Sequence, residues 1–279
     1  MAGLLDEERS STEPTLRAWL LREPFTLVMS SGFFSFFAHC GMLSVLEEEG
    51  IVPRAIAGSS AGALTGGLWS AGMSTSALSD LYFSMTKESF WDPAPGPGLL
   101  KGERFRDLLR QVSPVERIEH CRCPLTVSAF DLLRFRVHTL SEGAFAEAIY
   151  ASCAVPFLFR PIRIGGAYLV DGGVSDRPGL AGVQKGERIF YHHIASRSPW
   201  RRRNSVALRV PERANMMSLL IHGLPRPGPD AMHEGRVAWG IAQRATREAL
   251  DRSVAGSVVE VDGGEATRHF GVEIRDPVT

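Results

Sequence analysis

Net charge is the first property that this sequence lacks. Its 279 residues include 31 lysines and arginines and 31 aspartates and glutamates, so the formal net charge at pH 7 is zero. A nucleic-acid-binding domain concentrates basic residues, and a solvating tail carries a block of acidic ones. The balance excludes a domain built for nucleic acid, and we predict no nucleic-acid partner.

Cysteine is also scarce, with four residues in the whole chain. Cys121 and Cys123 are two positions apart, but no second pair of cysteine or histidine residues follows at zinc-site spacing. Disulfides form in oxidising compartments, and the sequence shows no export signal. We therefore predict no metal, no cofactor and no disulfide.

Export and membrane signals are missing as well. Asp6, Glu7 and Glu8 precede any long apolar run, so we expect no secretory leader and a cytoplasmic protein. Residues 25–46 and 55–79 contain no charged side chain over a length that suits a membrane helix. Both stretches are rich in serine, threonine and glycine, so we predict buried strands and helices rather than membrane spans.

Strand and helix patterns alternate along the chain. Apolar runs predict strands at residues 25–29, 55–57, 125–130, 136–140, 160–164, 167–170 and 188–194. Helical spacing predicts helices at 39–49, 61–71, 76–90, 103–112 and 145–152. This alternation is typical of an α/β fold with a mainly parallel sheet. We predict a lead-in at 1–24 and one domain at 25–279 with a C-terminal helix at about 230–252.

A G-x-S-x-G pattern follows the strand at residues 55–57. Gly58 and Gly62 flank Ser60, and a helix of small residues begins at Ala61. In a nucleophile elbow the serine lies on a strained strand-to-helix turn, so its neighbours must be small. The N–H of Ala61 and the helix N terminus would stabilise an oxyanion. The pattern predicts a nucleophile at Ser60, and the alternative is a glycine-rich corner without chemistry.

A serine nucleophile needs a base, and the residues leave alternatives open. Asp171 ends a strand before Gly172 and Gly173, so its carboxylate is exposed to a partner or simply belongs to an Asp-Gly turn. His192 or His193 would instead complete a triad in the order serine, aspartate, histidine. Adjacent strand residues point to opposite faces, so we expect one histidine in the core and one in solvent.

Four ordered elements resemble the patatin-like phospholipases. They are the elbow, the Asp-Gly-Gly element, the helix Ala38-His39-Cys40-Gly41-Met42-Leu43, and the block Ala151-Ser152-Cys153-Ala154-Val155-Pro156-Phe157. The resemblance covers about residues 25–174 and implies a three-layer patatin-like fold with helices flanking the sheet. It also implies a Ser60–Asp171 dyad in place of a triad, and a phospholipase A or lysophospholipase acting on lipid or other acyl esters.

The glycine-rich run with a basic residue that the family places after its first strand is altered here. The aligned stretch is Ser31-Gly32-Phe33-Phe34-Ser35-Phe36, so Gly32 alone is retained and Ser35 stands at the basic position. Backbone N–H groups near Gly32, Phe33 and Ala61 are the expected oxyanion donors. The altered loop motivates a second hypothesis, a non-catalytic lipid-binding or interaction protein on the same fold. Acyl transfer in place of hydrolysis would use the same residues.

Two groups of residues indicate contact with lipid. Phe34, Phe36 and Phe37 surround the altered loop, where they would line an acyl-chain site or pack in the core. Trp200 and Arg201 belong to a short segment with four arginines, which is typical of an anionic membrane surface or of a solvated loop. We therefore expect peripheral contact with an anionic membrane as one interpretation. The sequence does not predict an oligomeric state.

Overall fold

A nine-stranded sheet with helices around it forms the body of the chain, as shown by a computed structural model that describes residues 13–195 and 209–264. The helices are α1 (Leu16–Arg22), α2 (Phe36–Glu48), α3 (Ala61–Ser70), α4 (Thr75–Ser84), α5 (Glu103–Val112), α6 (Phe145–Cys153) and α7 (Glu234–Leu250). The strands are β1 (Thr26–Met29), β2 (Ala55–Ser59), β3 (Leu125–Asp131), β4 (Arg136–Leu140), β5 (Ile162–Ile164), β6 (Ala167–Asp171), β7 (Ile189–His193), β8 (Met216–His222) and β9 (Val258–Asp262).

The sheet is mixed and mostly parallel. Hydrogen-bonded neighbours run in the order β5-β6-β3-β2-β1-β7-β8-β9, and β4 also pairs with β3. The pairs from β3 through β2, β1, β7 and β8 to β9 are all parallel, whereas β4, β5 and β6 pair antiparallel. The predicted fold class, a mainly parallel sheet flanked by helices, is confirmed.

Strands β2 and β6 share one edge of β3. Residues 127–131 of β3 pair with β4, which occupies the opposite edge over that length. The free edge pairs with β2 up to Ser128 and with β6 from Ala129 onward. Because β2 is parallel to β3 and β6 is antiparallel, the carboxyl ends of β2 and β6 meet head to head. Ser60, which follows β2, is thereby placed beside Asp171, the last residue of β6.

Both faces of the central strands are covered. In β1, Leu27 and Met29 belong to the large core that all the helices share, whereas Val28 belongs to a smaller cluster on the other face. Leu180 and Val183 of the segment after β6 close that second cluster. Since inner strands are buried on both sides, they read as continuous apolar runs rather than alternating ones.

Most predicted elements are present, and the largest departures lie after β7. Strands β8 and β9 extend the sheet, and neither of them was predicted, although β8 is an apolar run. The C-terminal helix begins at Glu234 and ends at Leu250, within the range predicted for it. The prediction of one domain over residues 25–279 stays a prediction. Within the residues that the structure describes, no helix combines the length and apolar character needed to cross a membrane.

Candidate active site

Ser60 lies on a strained turn between β2 and α3. Its backbone has φ 52° and ψ −116°, a conformation that a residue with a β-carbon adopts only at a cost. The α3 helix begins at the next residue, so the serine side chain stands at the helix N terminus. The first N–H groups of a helix have no intrahelical partner. The turn therefore presents a hydroxyl beside unpaired backbone donors, as the G-x-S-x-G pattern predicts.

The two glycines of the elbow are required by backbone contacts. A β-carbon on Gly62 would overlap the carbonyl group of Met29 in β1. A β-carbon on Gly58 would lie 2.7 Å from the carbonyl carbon of Gly62 and 2.8 Å from the nitrogen of Ala63. Backbone atoms cannot rotate away as side chains do, so both positions accept only glycine without movement of α3. This close packing sets the position of Ser60 relative to the sheet.

The Ser60 hydroxyl donates a hydrogen bond to Asp171. The distance from Oγ to Oδ2 is 2.6 Å, and the N–H of Gly173 donates to Oδ1 at 2.7 Å. Asp171 is 5% exposed, so its carboxylate is buried beside the hydroxyl that it contacts. The two residues are 111 positions apart in the chain. They meet because β2 and β6 end against each other on β3.

Ser152, at the end of α6, links the elbow to the sheet. Its hydroxyl donates to the carbonyl of Ser128 at 2.6 Å and accepts from the N–H of Ser60 at 2.9 Å. The Ser152 side chain is fully buried. Ser152 belongs to the block at residues 151–157 that resembles the family, but no role was predicted for it. The signal that could have found it was a serine next to the alanines of α6, because a buried hydroxyl needs a hydrogen-bond partner.

The glycines after Asp171 fill the space between the two strand ends. A β-carbon on Gly172 would overlap the carbonyl oxygen of Ser128, and one on Gly173 would overlap the Ser31 hydroxyl. The N–H of Ser31 donates to the carbonyl of Arg177 at 2.7 Å. The segment after the aspartate therefore supports the loop that follows β1.

That loop, residues 31–36, forms a tight turn beside the nucleophile. The N–H of Ser35 donates to the carbonyl of Gly32 at 3.0 Å, and Phe34 has φ 56°. A β-carbon on Gly32 would lie 2.9 Å from Cβ of Ser35 and 3.0 Å from Ile194. The retained glycine is therefore sterically required, while Phe34 holds a left-handed conformation despite its side chain. Phenylalanine at this position costs about 1–2 kcal/mol of backbone strain.

An apolar pocket of about 620 Å³, including its open mouth, lies against Ser60. Its lining contains no charged residue; the residues are Gly32, Phe33, Phe34, Phe36, Ser60, Ala61, Leu64, Met85, Phe90, Phe105, Cys153, Val155, Leu158, Phe159 and Pro229. Phe34 and Phe36 are among the lining residues, and their contact with lipid stays a prediction. Burial and the nearby Asp171 raise the pKa of the Cys153 thiol well above its usual range, so it remains a neutral wall residue.

Phe37 is not part of this pocket. Its side chain is 1% exposed and stacks on Phe83 with ring centroids 6.3 Å apart. The ring also fills the space above Gly235, where a β-carbon would overlap it. The expectation that Phe37 contacts lipid is corrected, because its side chain follows Phe36 on α2 and points into the packing between helices. Trp200 and Arg201, the other expected lipid contacts, lie outside the described residues.

The two histidines of the triad alternative are both buried, which corrects the expectation that one faces solvent. His192 is fully buried and His193 is 1% exposed, since β7 is an inner strand covered on both faces. Nδ1 of His193 contacts the Tyr191 hydroxyl at 2.9 Å. Nδ1 of His192 contacts Nδ1 of His39 at 2.9 Å. These rings contact His39 and Tyr191, whereas the Ser60 hydroxyl contacts the Asp171 carboxylate.

The His39–His192 pair contacts the backbone at Ser30, directly before the loop of residues 31–36. Nε2 of His39 contacts the carbonyl of Ser30 at 2.8 Å, so this nitrogen must be the donor. Nδ1 of a neutral His39 then accepts from His192. Burial lowers the pKa of His39 to about 4 and the pKa of His192 well below its usual value. Both rings are neutral at pH 7. Among the described residues, no group of three or more metal-ligating side chains gathers.

Comparison with known proteins places these features in a family context. A family model for patatin-like phospholipases matches residues 27–182. An uncharacterized NTE family protein of Mycobacterium tuberculosis is 33% identical over 154 residues, which is 54% of this chain and 42% of that protein. Lysophospholipase NTE1 of Cryptococcus neoformans is 28% identical over 157 residues, 54% of this chain and 10% of that protein. The match therefore spans less than half the length of either relative.

A solved structure shares the fold. VipD from Legionella pneumophila superposes with a TM-score of 0.54 at 16% sequence identity, covering 63% of this chain and 51% of that one. At this identity the likeness concerns the architecture of the sheet and helices alone.

Proposed function

The chain belongs to the patatin-like phospholipase family, and from that premise we propose that it is a serine acyl hydrolase of lipid esters that uses Ser60 and Asp171 as a dyad. The observation that carries the proposal is the 2.6 Å hydrogen bond from Ser60 Oγ to Asp171 Oδ2. A short bond from a hydroxyl to a carboxylate prepares the transfer of the hydroxyl proton.

The proposed reaction has two steps. Ser60 Oγ attacks the ester carbonyl carbon while its proton passes to Asp171, and the alcohol leaves with that proton as the C–O bond breaks. Water then loses a proton to Asp171 and attacks the acyl-serine, which releases the fatty acid and restores the Ser60 hydroxyl. One carboxylate serves as base and then acid in each step.

Backbone donors would hold the oxyanion that forms in both steps. The N–H of Ala61 lies at the N terminus of α3, where the helix dipole also favours negative charge. Gly32 and Phe33 line the same pocket as Ser60 and Ala61. The strained φ of 56° at Phe34 indicates that the loop keeps a specific turn even without the family's glycines.

The pocket supports a lipid acyl chain as the part of the substrate that enters. Its uncharged aromatic and aliphatic walls suit a hydrocarbon tail, and a polar headgroup would stay at the mouth. A relative is named as a lysophospholipase, so we propose the phospholipase A or lysophospholipase type for this chain as well. Peripheral contact with anionic lipid belongs to the same proposal.

Labelling with a serine-directed fluorophosphonate tests the nucleophile. Ser60→Ala should abolish labelling, and Asp171→Asn should lower ester hydrolysis by at least about 10³-fold, because an amide cannot take the proton. Ser59→Ala is the matched control, since the Ser59 hydroxyl is buried without a hydrogen-bond partner in the described part of the chain. Labelling of Ser60→Ala at the parent level would refute the assignment.

Product analysis with diacyl and monoacyl phospholipids separates the remaining alternatives. Release of free fatty acid that disappears in Ser60→Ala supports hydrolysis. An acylated acceptor in place of free acid would indicate acyl transfer. If the parent protein neither labels nor turns over any ester, the non-catalytic lipid-binding hypothesis replaces the proposed function.

A further inference from the structure

Phe157 is an exposed aromatic residue beside the mouth of the pocket. Its side chain is 92% exposed, and its φ of 67° lies in the left-handed region that phenylalanine rarely adopts. Leu99, which is 51% exposed, is its neighbour through a hydrogen bond from its N–H to the carbonyl of Phe157. We call these two residues the lip. Neither solvent exposure nor backbone strain favours a phenylalanine here.

The backbone around the lip is firmly held. The N–H groups of Leu158 and Phe159 both donate to the carbonyl of Val155, at 3.1 and 2.9 Å. The N–H of Leu100 donates to the carbonyl of Leu158 at 2.8 Å. A β-carbon on Gly98 would lie 2.7 Å from the carbonyl carbon of Phe159, so the two segments touch directly. The exposed ring is therefore presented by an ordered backbone.

The lip continues the wall of the pocket outward. Val155, Leu158 and Phe159 line the pocket, and Phe157 stands between them in the chain with its side chain turned to solvent. Leu99 directly follows the Pro-Gly loop of residues 93–98. Within that loop, the N–H of Ala94 donates to the carbonyl of Leu99 at 3.1 Å. An acyl chain that enters the pocket would pass this apolar edge.

Exposed apolar side chains gather at the same end of the sheet. Leu133 and Phe135 are 63% and 81% exposed in the turn after β3, which runs parallel to β2 and so ends on the side of Ser60. Val174, three residues after Asp171, is 43% exposed. Single exposed apolar residues are ordinary, but several at one end of a sheet mark an interaction surface.

Basic side chains accompany the lip. Arg104 donates to the backbone carbonyls of Glu88 and Trp91, and Arg160 donates to the carbonyl of Pro95 in the Pro-Gly loop. Within residues 13–195 and 209–264, neither these two arginines nor Arg163 forms an ion pair with a carboxylate. The Arg163 guanidinium lies 5.9 Å from the ring centroid of Tyr168, which is also exposed. A carbonyl partner leaves the guanidinium charge in place, so the exposed apolar residues, these arginines and the exposed Tyr168 match the two layers of a lipid surface, acyl chains and phosphates.

We propose that the lip docks the protein on a lipid surface, with Leu99 and Phe157 inserted among acyl chains and the arginines at the phosphates. The inference rests on the proposed function, because a lipid that is drawn into the pocket must first leave its bilayer. An apolar edge at the mouth shields the acyl chain from water along that path.

Flotation with vesicles of phosphatidylcholine, with and without phosphatidylglycerol, tests the surface with the full chain. Asparagine tolerates a positive φ, so the Phe157→Asn protein should remain folded. Because it lacks the apolar ring, it should bind vesicles about tenfold more weakly. Val52→Ser is the matched control, since Val52 is 66% exposed before β2 at the opposite end of the sheet, and it should bind like the parent. Arg163→Gln should weaken binding about fivefold to the anionic vesicles alone.

Three further readouts decide the outcome. The ratio of vesicle-substrate to short-chain-ester hydrolysis should fall in Phe157→Asn and not in Val52→Ser. Ser60→Ala should bind vesicles as tightly as the parent, so the lip is tested even if the parent shows no hydrolysis. Unchanged vesicle binding by Phe157→Asn together with Leu99→Ser overturns the proposal. A dimer in gel filtration that Phe157→Asn abolishes, with vesicle binding unchanged, would assign the lip to a second copy instead.

Discussion

The two backbone segments beside Ser60 use glycine differently. At the elbow, residues 58–62, both glycines are pressed against backbone atoms of β1 or α3. In the loop of residues 31–36, Gly32 alone is confined by its neighbours, and Phe33, Phe34 and Phe36 line the open pocket. A side chain at the elbow would displace backbone atoms of the fold, whereas side chains in the loop project into the pocket. Packing against neighbouring backbone therefore limits the side chains at the elbow, whereas the loop accepts large side chains that line the pocket.

Gly62→Ala changes the tightly packed elbow and should have the largest effect on stability and activity. The new methyl group overlaps the Met29 carbonyl, so α3 must shift, at a cost of about 3 kcal/mol in stability and about 100-fold in ester hydrolysis. Urea denaturation and fluorophosphonate labelling measure both. Gly256→Ala, where a β-carbon meets nothing within 4 Å, should change neither. Parent-like labelling by Gly62→Ala would show that the elbow tolerates movement.

Ser152→Ala tests how far the elbow depends on its support from α6. The substitution removes the acceptor of the Ser60 N–H and the donor to the Ser128 carbonyl. We expect a loss of about 2 kcal/mol in the free energy of unfolding, and about tenfold in kcat because the serine is less firmly placed. Activity equal to that of the Ser59→Ala control would mean that the backbone holds Ser60 unaided.

Acid should lower the stability of the fold, because the buried histidines beneath the loop of residues 31–36 must take up protons. Burial lowers the pKa of His39 to about 4, so the unfolded chain binds more protons than the folded one between that value and about 6.5. Stability is complete above this window and falls as pH decreases through it, by about 1.5 kcal/mol between pH 6.5 and 5 for this group. Urea denaturation across that range measures the slope.

The control for the acid effect is a pair of histidine variants. His39→Gln should flatten the dependence of stability on pH, although His192 still contributes to it. His120→Gln, on the exposed surface, should keep the parent slope. Identical slopes in all three proteins would show that the buried pair does not govern acid stability.

The smallest effect separates backbone strain from side-chain contact in the loop. Phe34→Ala and Phe34→Gly both remove the ring, but glycine accepts the φ of 56° freely. Phe34→Gly should therefore be more stable than Phe34→Ala by about 1 kcal/mol. At Phe36, the first residue of α2, the order should reverse by about 0.5–1 kcal/mol, because alanine is favoured in a helix. The same order at both positions would show that strain at Phe34 is negligible.

Local patterns allowed much of the site to be predicted from the sequence. The elbow is a contiguous five-residue turn, and its glycines, its serine and the following helix all lie where the pattern placed them. The assignment of Asp171 as base relied on the resemblance, and it stays a proposal supported by the hydrogen bond. The bounds of α5 were predicted correctly because its strong amphipathic pattern begins after Gly102.

Long-range packing explains what the sequence did not predict. Adjacent histidines on a strand should point to different environments, but both faces of β7 are covered, so both are buried. Phe36 and Phe37 are neighbours with the same chemistry and both pack in the core, but the angle between successive helical residues brings only Phe36 to the pocket wall. Strands β8 and β9 gain their partners from β7 and from each other, which a search for local turns and repeats does not show.

The sequence by itself determined the turn that exposes Ser60, because small residues at fixed spacing are a local steric requirement. Only the tertiary structure decided which group the serine meets. Strands β2 and β6 run in opposite directions along one edge of β3, and their ends place Ser60 and Asp171 in contact across 111 positions of chain. Strand pairing depends on the burial of the whole sheet, so no local window of residues contains that information.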